Sequence, residues 1–213
     1  PALAERMAPL SEPLSSFVGR DEDLATIGAL LIDPVVRLLT LTGPGGIGKT
    51  RLATAAAGSV PVDRFPDGVA FVGLADLRSP EMVIPAIAQA VGLRPQSNRE
   101  PAEQLRPFLR RKQLLLVLDN FEHLLSAGPE VAKLLAGATG ITVLVTSRAP
   151  LRVTGERDLA VRPLTIASQK ATAAELLESD AGRLFAERAR EHEATFAVND
   201  ASAPVIAEPV SYT

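Results

Sequence analysis

The most constraining feature of this chain is the segment 43–50, which reads GPGGIGKT and fits the pattern G-x-x-x-x-G-K-[ST]. It follows the apolar run 35–41, so the local order is strand, glycine-rich loop and helix. Glycines let the backbone curl around a polyanion with successive N–H groups pointing inward, and a helix start adds the positive end of its dipole. The segment therefore predicts a phosphate-binding loop; the alternative is a glycine-rich turn that holds no ligand.

Each residue type in this loop has a predicted role toward ATP or ADP. Lys49 is expected to reach the β- and γ-phosphates as part of the catalytic set, and the Thr50 hydroxyl is expected to ligate Mg²⁺. Pro44 has no N–H, so the backbone donors begin at Gly45. The predicted nucleotide contacts in and just after the loop are Gly43, Gly45, Gly46, Ile47, Gly48, Lys49, Thr50 and Arg51.

Composition excludes several classes of function. The 213 residues include no cysteine, which rules out disulfides and thiolate zinc sites, and two lone histidines do not suggest a metal cluster. The formal net charge of −3 gives no overall footprint for nucleic acid, so we expect no direct nucleic-acid binding by this piece. No apolar run reaches the ~18 residues of a membrane span and no signal peptide is visible, so we expect a cytoplasmic protein without membrane contact.

The pattern along the rest of the chain predicts an α/β fold. Short apolar runs bounded by turn residues indicate five strands, and amphipathic stretches lie between them. This alternation predicts a doubly wound parallel sheet, as in P-loop NTPases. The predicted strands lie at 35–41, 69–74, 114–118, 141–145 and around Leu159 and Val161, and the predicted helices lie at 21–32, 48–57, 80–91, 101–111 and 129–137.

Three regions are expected in sequence order. Residues 1–15 carry three prolines among small residues and predict a linker or tail, and the absence of a starting methionine predicts that something precedes them. Residues 16–165 form the predicted nucleotide-binding domain. Residues 166–213 are expected to begin a truncated helical lid.

The lid region shows one extended helical pattern. A long amphipathic helix is predicted over 171–192, and no closed element is predicted after Asn199, so we expect the chain to end inside this region. The predicted apolar positions of the helix are Leu176, Leu177, Leu184, Phe185 and Ala189.

Asp119 ends the apolar run 114–118 and is the predicted partner of Thr50 in holding Mg²⁺, directly or through water. A strand-end aspartate that caps a turn is the alternative. Asn120 occupies the position where a second carboxylate would often sit, and an amide orients water but accepts no proton. Glu122 is the nearest alternative base, and it fits a helix-start acid facing solvent equally well. Slow hydrolysis is therefore expected.

Arg148 follows two small hydroxyl residues at the end of the run 141–145. At that edge of a parallel sheet a guanidinium is well placed to reach a γ-phosphate, and it would distinguish a triphosphate from a diphosphate. An ordinary surface arginine is the alternative.

Residues 17–198 resemble the signal-transduction ATPases with numerous domains, specifically the NB-ARC-like modules of large bacterial transcriptional regulators. The resemblance rests on FVGRD at 17–21, the loop 43–50 with RLA after it, LLLVLDNFEHL at 114–124, VLVTSR at 143–148 and GRLFAERA at 182–189. It implies that Val18, Gly19 and Arg20 lie along the adenine and ribose, and that Ser147 and Arg148 sense the terminal phosphate. It further implies that ADP locks a closed state and that the strand order is 5-1-4-3-2. Without the resemblance, segment 17–20 would be taken as a turn with a hydrophobic staple before a helix.

The chain departs from this family in two places. The family continues past 207–208 into a helix and a Gly-x-Pro segment that touches the base, whereas this chain ends PVSYT, so the lid is expected to be incomplete. Asn120 stands in place of a second acid, which weakens catalysis but leaves binding untouched.

Three functions are compatible with the sequence. The resemblance implies a nucleotide-dependent switch, working with sensor repeats and a DNA-binding domain elsewhere in the full protein, and it allows a nucleotide-dependent oligomer. The second is an AAA-like motor ATPase that remodels nucleic acid or protein. The third is a scaffold with a vestigial loop, which the presence of lysine, hydroxyl, acid and arginine together disfavours.

Overall fold

The computed structural model of the chain describes residues 17–94 and 100–210, so the predicted tail at 1–15 lies outside the described residues. The chain divides into two compact units. The first contains Leu24–Val161, and the second contains the described parts of Pro13–Asp23 and of Arg162–Thr213. The boundary near the start of the chain therefore falls inside the first helix, and the second boundary lies directly after the last strand.

The first unit is built on a parallel sheet of five strands. The order across the sheet is β2-β3-β4-β1-β5, which is the predicted order 5-1-4-3-2 seen from the opposite edge, so the predicted fold is confirmed. The strands are β1 Leu38–Thr42, β2 Val69–Gly73, β3 Leu114–Asp119, β4 Ile141–Ser147 and β5 Glu156–Ala160.

Helices connect these strands as the alternating pattern predicts. Prolines mark the first turn of α4 and α5, where a missing N–H costs nothing. The helices are α1 Asp21–Ile32, α2 Lys49–Gly58, α3 Val83–Ala90, α4 Pro101–Leu109 and α5 Gly128–Gly137, and single 3₁₀ turns lie at Pro80–Met82, Phe121–His123 and Leu125–Ala127.

The central strands are covered on both faces. Leu114, Leu116 and Leu118 of β3 pack into a core shared with α3, α4 and α5. The alternate residues Leu115 and Val117 are equally buried but point to the opposite face, where α2 contacts β1, β3 and β4. A strand buried on both faces carries an unbroken apolar run, which explains why the run at 114–118 shows no polar alternation.

The second unit contains α6 Ala173–Glu178, α7 Asp180–His192 and α8 Ala203–Val210. The predicted single helix over 171–192 is wrong, because Ser179 interrupts it in an extended conformation. The Ser179 hydroxyl donates to the Leu176 carbonyl at 2.7 Å and accepts from Gly182 N at 3.1 Å, so one side chain ends α6 and caps α7.

The buried positions of this unit also differ from those predicted. Leu176 is fully buried, but in α7 the buried residues are Gly182 and Ala186, while Phe185 remains 36% exposed. The prediction of no element after Asn199 is also wrong. Asn199 accepts from Ser202 N at 2.9 Å and opens α8, whose Ile206 and Ala207 pack against Leu176.

No helix within the described residues is both long enough and apolar enough to cross a lipid bilayer.

Candidate functional site

The predicted site residues of the first unit gather at one edge of the sheet. Thr42 at the end of β1 lies beside Ser147 at the end of β4, and Leu118 of β3 lies beside Val145 of β4. Parallel strands end at the same edge of the sheet. This edge therefore carries the loop after β1, Asp119 after the apolar part of β3, and Arg148 after β4.

The loop 43–50 has the backbone shape that its glycines predict. Gly46 and Gly48 have φ of 81° and 92°, a region that residues with a Cβ rarely adopt. Gly48 directly precedes α2, so Lys49 and Thr50 form the first turn of that helix. Ile47 and Arg51 are half-buried on either side of these residues.

Lys49 is buried, and its ammonium is held by the loop itself. Nζ donates to the carbonyls of Gly43 and Pro44, each at 2.8 Å. Burial lowers the pKa of Lys49 below its ordinary value, and Arg148 acts in the same direction, while Glu122 and Asp119 oppose it. A phosphate oxygen carries more negative charge than a backbone carbonyl, so it is a stronger partner for this ammonium.

Thr50 and Asp119 lie together as a cation site requires. The Thr50 hydroxyl donates to Asp119 Oδ1 at 2.7 Å. The donated proton leaves the lone pairs of the hydroxyl oxygen available, and the pair presents hard oxygen donors of the kind that Mg²⁺ prefers. These two residues therefore fit the magnesium role predicted for them.

Thr146 joins this pair, although it is not among the site residues predicted from the sequence. Its hydroxyl donates to the same Asp119 Oδ1 at 2.5 Å, and its oxygen accepts from Asn120 N at 3.0 Å. The available signal was the position of Thr146 one residue beyond the apolar part of β4, matching that of Asp119 in β3.

Arg148 and Glu122, predicted separately as phosphate sensor and base, form an ion pair. Arg148 Nε lies 3.1 Å from Glu122 Oε1, and the two side chains are 67% and 19% exposed. The Arg148 guanidinium also approaches the loop, because a Cβ added at Gly45 would lie 3.4 Å from it. Each side chain thus limits the freedom of the other beside the phosphate loop.

The segment after Arg148 is anchored by one carboxylate. Glu156 of β5 accepts from Leu151 N at 2.8 Å and from Arg152 N at 2.7 Å, and its Oε1 also accepts from the Thr40 hydroxyl at 2.7 Å. This carboxylate ties the β4–β5 connection to β1, the strand that leads into the phosphate loop.

Val18, Gly19 and Arg20, the predicted adenine and ribose contacts, belong to the second unit. Gly19 has φ 69°, and an added Cβ would lie 2.4 Å from Cγ of Asp180, so this position accepts glycine alone. Arg20 donates to the Arg162 carbonyl at 2.7 Å and pairs with Asp23 at 2.7 Å. Segment 17–20 is therefore packed closely against residues of its own unit.

Asp180 organises the same part of the second unit. It accepts from the Thr165 hydroxyl at 2.8 Å and from Arg183 at 2.6 Å. Burial acts to raise the pKa of Asp180, but the hydrogen bonds from Thr165 and Arg183 outweigh it, so the pKa lies below its ordinary value. The carboxylate next to Gly19 is thus held in its charged form.

This chain is similar to the members of one protein family and to a mycobacterial relative. A family model described as an AAA domain matches residues 36–158. A Mycobacterium tuberculosis (strain H37Rv) protein, named as a candidate HTH-type transcriptional regulator, is 36% identical over 173 residues. That match covers 81% of this chain and 18% of the relative, so the chain spans less than one fifth of the relative's length.

Two solved structures are also similar. The ORC2 protein of Aeropyrum pernix, described in complexes with ADPNP and ADP, has a TM-score of 0.53 at 15% identity, over 82% of this chain and 54% of that one. The Pyrococcus horikoshii signal-transduction ATPase with numerous domains, which carries a tetratricopeptide repeat sensor, has a TM-score of 0.48 at 17% identity, over 96% of this chain and 29% of that one. At these identities, the first likeness concerns the fold alone.

Proposed function

Because this chain belongs to the AAA domain family, we propose that it binds ATP and ADP with Mg²⁺ and acts as a slowly hydrolysing switch. In this proposal the nucleotide state is the signal, and the chain works as the NB-ARC-like ATPase module of a larger bacterial transcriptional regulator. The family match supports a P-loop ATPase domain. The switch role and the NB-ARC-like module are the parts of the proposal that go beyond it.

A single arrangement carries the proposal: a buried lysine inside a glycine loop, next to a hydroxyl that donates to a strand-end carboxylate. Lys49 Nζ lies 2.8 Å from two loop carbonyls, and Thr50 donates to Asp119 at 2.7 Å. A turn without a ligand has no need to bury an ammonium in this way, because desolvating that charge is unfavourable. The arrangement supports phosphate and cation binding together.

In this proposal, each site residue of the first unit has a defined role in binding the nucleotide and the cation. Backbone N–H groups from Gly45 onward donate to the phosphates, Lys49 contacts the terminal ones, and Thr50 with Asp119 holds the cation. Bound Mg²⁺ would neutralise charge that develops on the phosphate oxygens. Arg148 is placed beside the loop, where it would distinguish a triphosphate from a diphosphate.

Slow hydrolysis follows from the two candidate bases. The side chain of Asn120 accepts no proton, and Glu122 is engaged by Arg148 at 3.1 Å. Neither side chain is set up as a free base for an attacking water. Slow turnover suits a switch, since the bound nucleotide then persists long enough to report a state.

The regulatory output is proposed from the relatives. The Mycobacterium tuberculosis relative is named as a candidate transcriptional regulator, and most of its length lies outside the part matched here. A DNA-binding domain would accordingly lie outside this chain, as would the sensor repeats that the resemblance of residues 17–198 implies. We propose that they are its partners.

The test is calorimetric titration of the chain with Mg-ADP and with a non-hydrolysable Mg-ATP analogue. We expect dissociation constants in the micromolar range or tighter, and Lys49→Ala should weaken binding of the triphosphate analogue about tenfold or more, because a charge-assisted contact is lost. Lys133→Ala is the matched control, since Lys133 is 62% exposed and pairs with Glu130 on α5.

The outcomes separate the alternatives. Absence of heat at micromolar protein and high micromolar ligand would favour a scaffold with a vestigial loop. Equal affinity in Lys49→Ala and the wild type would remove Lys49 from the site.

A further inference from the structure

Thr146 lies where the ends of two central strands meet. Leu118 of β3 is paired with Val145 of β4, so the next residues, Asp119 and Thr146, extend side by side at the edge of the sheet. Thr146 is only 1% exposed. A buried hydroxyl at this position is shielded from solvent and must use partners from the protein.

The direction of each hydrogen bond in this cluster is fixed. The Asn120 backbone N–H is only a donor, so Thr146 Oγ1 accepts it, at 3.0 Å. The single hydroxyl proton of Thr146 is then given to Asp119 Oδ1 at 2.5 Å. Thr50 gives its proton to the same oxygen at 2.7 Å.

Two donated protons use both lone pairs of Asp119 Oδ1. The second carboxylate oxygen, Oδ2, is therefore the one that would serve a cation or a water bound to it. The rotation of the carboxyl group, which decides where Oδ2 points, is set by hydroxyls on two sides. Of these, Thr50 is itself a predicted cation ligand, whereas Thr146 is not.

Asn120 gives this arrangement a second support. Its backbone is left-handed, with φ 68° and ψ 49°, a conformation that asparagine tolerates better than most residues. The hydrogen bond from Asn120 N to Thr146 fixes the turn that directly follows Asp119. One hydroxyl therefore fixes both the carboxyl group and the chain that leaves it.

We propose that Thr146 is a positioning residue for the divalent cation: it orients Asp119 so that Oδ2 serves the cation, without itself touching the cation or the phosphates. This inference rests on the proposed nucleotide binding and adds to it a residue on which the Mg²⁺ requirement depends. It predicts that loss of the hydroxyl weakens the response to Mg²⁺ and spares the contacts of the phosphates with the loop.

The test measures Mg²⁺ dependence of nucleotide binding, without turnover. The whole chain is titrated with fluorescent N-methylanthraniloyl-ADP, in EDTA and across a Mg²⁺ series. Thr146→Val removes the hydroxyl at nearly constant volume, and it should raise the half-saturating Mg²⁺ concentration about tenfold, the effect expected for a supporting partner of a metal ligand. Affinity in EDTA should stay within about twofold of the wild type.

Three further variants make the result specific. Thr146→Ser keeps the hydroxyl and should behave as the wild type. Thr142→Val removes another hydroxyl that is 1% exposed in β4, about 13 Å along the strand, and should leave the Mg²⁺ response unchanged. In an Asp119→Asn background, Thr146→Val should have no further effect, because Thr146 acts through that carboxylate. If Thr146→Val gives no cooperative melting transition, Thr146→Ala is measured in its place.

An unchanged Mg²⁺ midpoint in Thr146→Val would overturn the inference. So would an equal loss of nucleotide affinity with and without Mg²⁺, or a raised Mg²⁺ midpoint in Thr146→Ser. Each of these results leaves nucleotide binding by the wild type intact, so the proposed function survives them. Failure of the wild type itself to bind the probe would overturn the proposed function, and this inference with it.

Discussion

In the proposed site, Arg148 is the residue expected to distinguish a triphosphate from a diphosphate. Its guanidinium lies 3.1 Å from Glu122 and close to Gly45 of the phosphate loop. A terminal phosphate at the loop would compete with the Glu122 carboxylate for the same guanidinium. The two side chains therefore act as one unit, and their contributions cannot be additive.

This competition gives a residue-scale prediction. Glu122→Gln should raise affinity for a triphosphate relative to a diphosphate about two- to fivefold, because a partly exposed ion pair contributes about 1 kcal/mol and its loss frees Arg148. Arg148→Ala should lower the same ratio. Calorimetric dissociation constants for Mg-ADP and a non-hydrolysable Mg-ATP analogue give the ratio for each variant.

The double variant is the control for this pair. With Arg148 replaced by alanine, the substitution at Glu122 should no longer change the ratio. A lower triphosphate preference in Glu122→Gln alone would show that the carboxylate assists binding instead of competing with it.

Some of these residues can be predicted from the sequence, and others cannot. Lys49, Thr50 and Asp119 are marked by local spacing, because a phosphate loop and an acid-ended buried strand have recognisable patterns. The Glu122–Arg148 pair and the Thr146 contact depend on which strands are neighbours and in what register. Neither is encoded within a short window, so no periodicity predicts them.

At the scale of elements, one acidic side chain holds the start of β2 against β3. Asp67, in the turn before β2, accepts from Lys112 Nζ and from Gln113 N, each at 2.7 Å. Asp67 N in turn donates to the Gln113 carbonyl at 3.0 Å. These contacts continue the pairing of edge strand β2 with β3 beyond its last ladder bond.

Asp67→Asn should therefore lower the free energy of unfolding by about 1 kcal/mol at pH 7, the size expected for a hydrogen bond to a charged group that is partly replaced. Burial acts to raise the pKa of Asp67, but Lys112 and Gln113 outweigh it and hold the pKa below its ordinary value of 3.8. A depressed carboxyl pKa stabilises the fold above the unfolded value and loses that effect as pH falls through the folded value.

Urea unfolding of the wild type and of Asp67→Asn between pH 7 and pH 3 tests this predicted direction of the pH dependence. The difference between wild type and Asp67→Asn should be full at pH 7 and shrink as the pH falls below about 4. Asp63→Asn, an exposed change in the same loop, is the control and should have little effect at either pH. A difference that is constant with pH would assign the effect to packing and not to charge.

Elements also show where sequence patterns are ambiguous. Strand order follows from the resemblance and is confirmed, because the order of strands is shared across the fold. The pattern over 171–192 carries no proline or glycine pair to stop a helix, and serine is tolerated within helices. Only the two hydrogen bonds of Ser179, to the Leu176 carbonyl and from Gly182 N, turn it into the break between α6 and α7.

At the scale of the molecule, the net charge and the arrangement of the site both bear on the choice between the proposed switch and a motor. The formal net charge of −3 offers no general attraction to DNA, and Glu122, the carboxylate predicted as the alternative base, is paired with Arg148 at 3.1 Å. A motor needs rapid turnover coupled to its substrate, whereas a switch needs a persistent nucleotide state. These requirements predict opposite kinetic behaviour for the isolated chain.

Turnover of ATP by the chain should accordingly be slow, below about 0.1 per second with saturating Mg²⁺, in the range of nucleotide switches without an assisting partner. Addition of double-stranded DNA should leave the rate unchanged within about twofold, because a net charge of −3 gives no general attraction to the phosphate backbone. Phosphate release is followed in both conditions, and Asp119→Asn protein prepared in parallel reports any contaminating ATPase. Turnover of several per second, or stimulation of about tenfold by DNA, would replace the switch with the remodelling motor, since the base would then have to be better placed than Asn120 and the paired Glu122 allow.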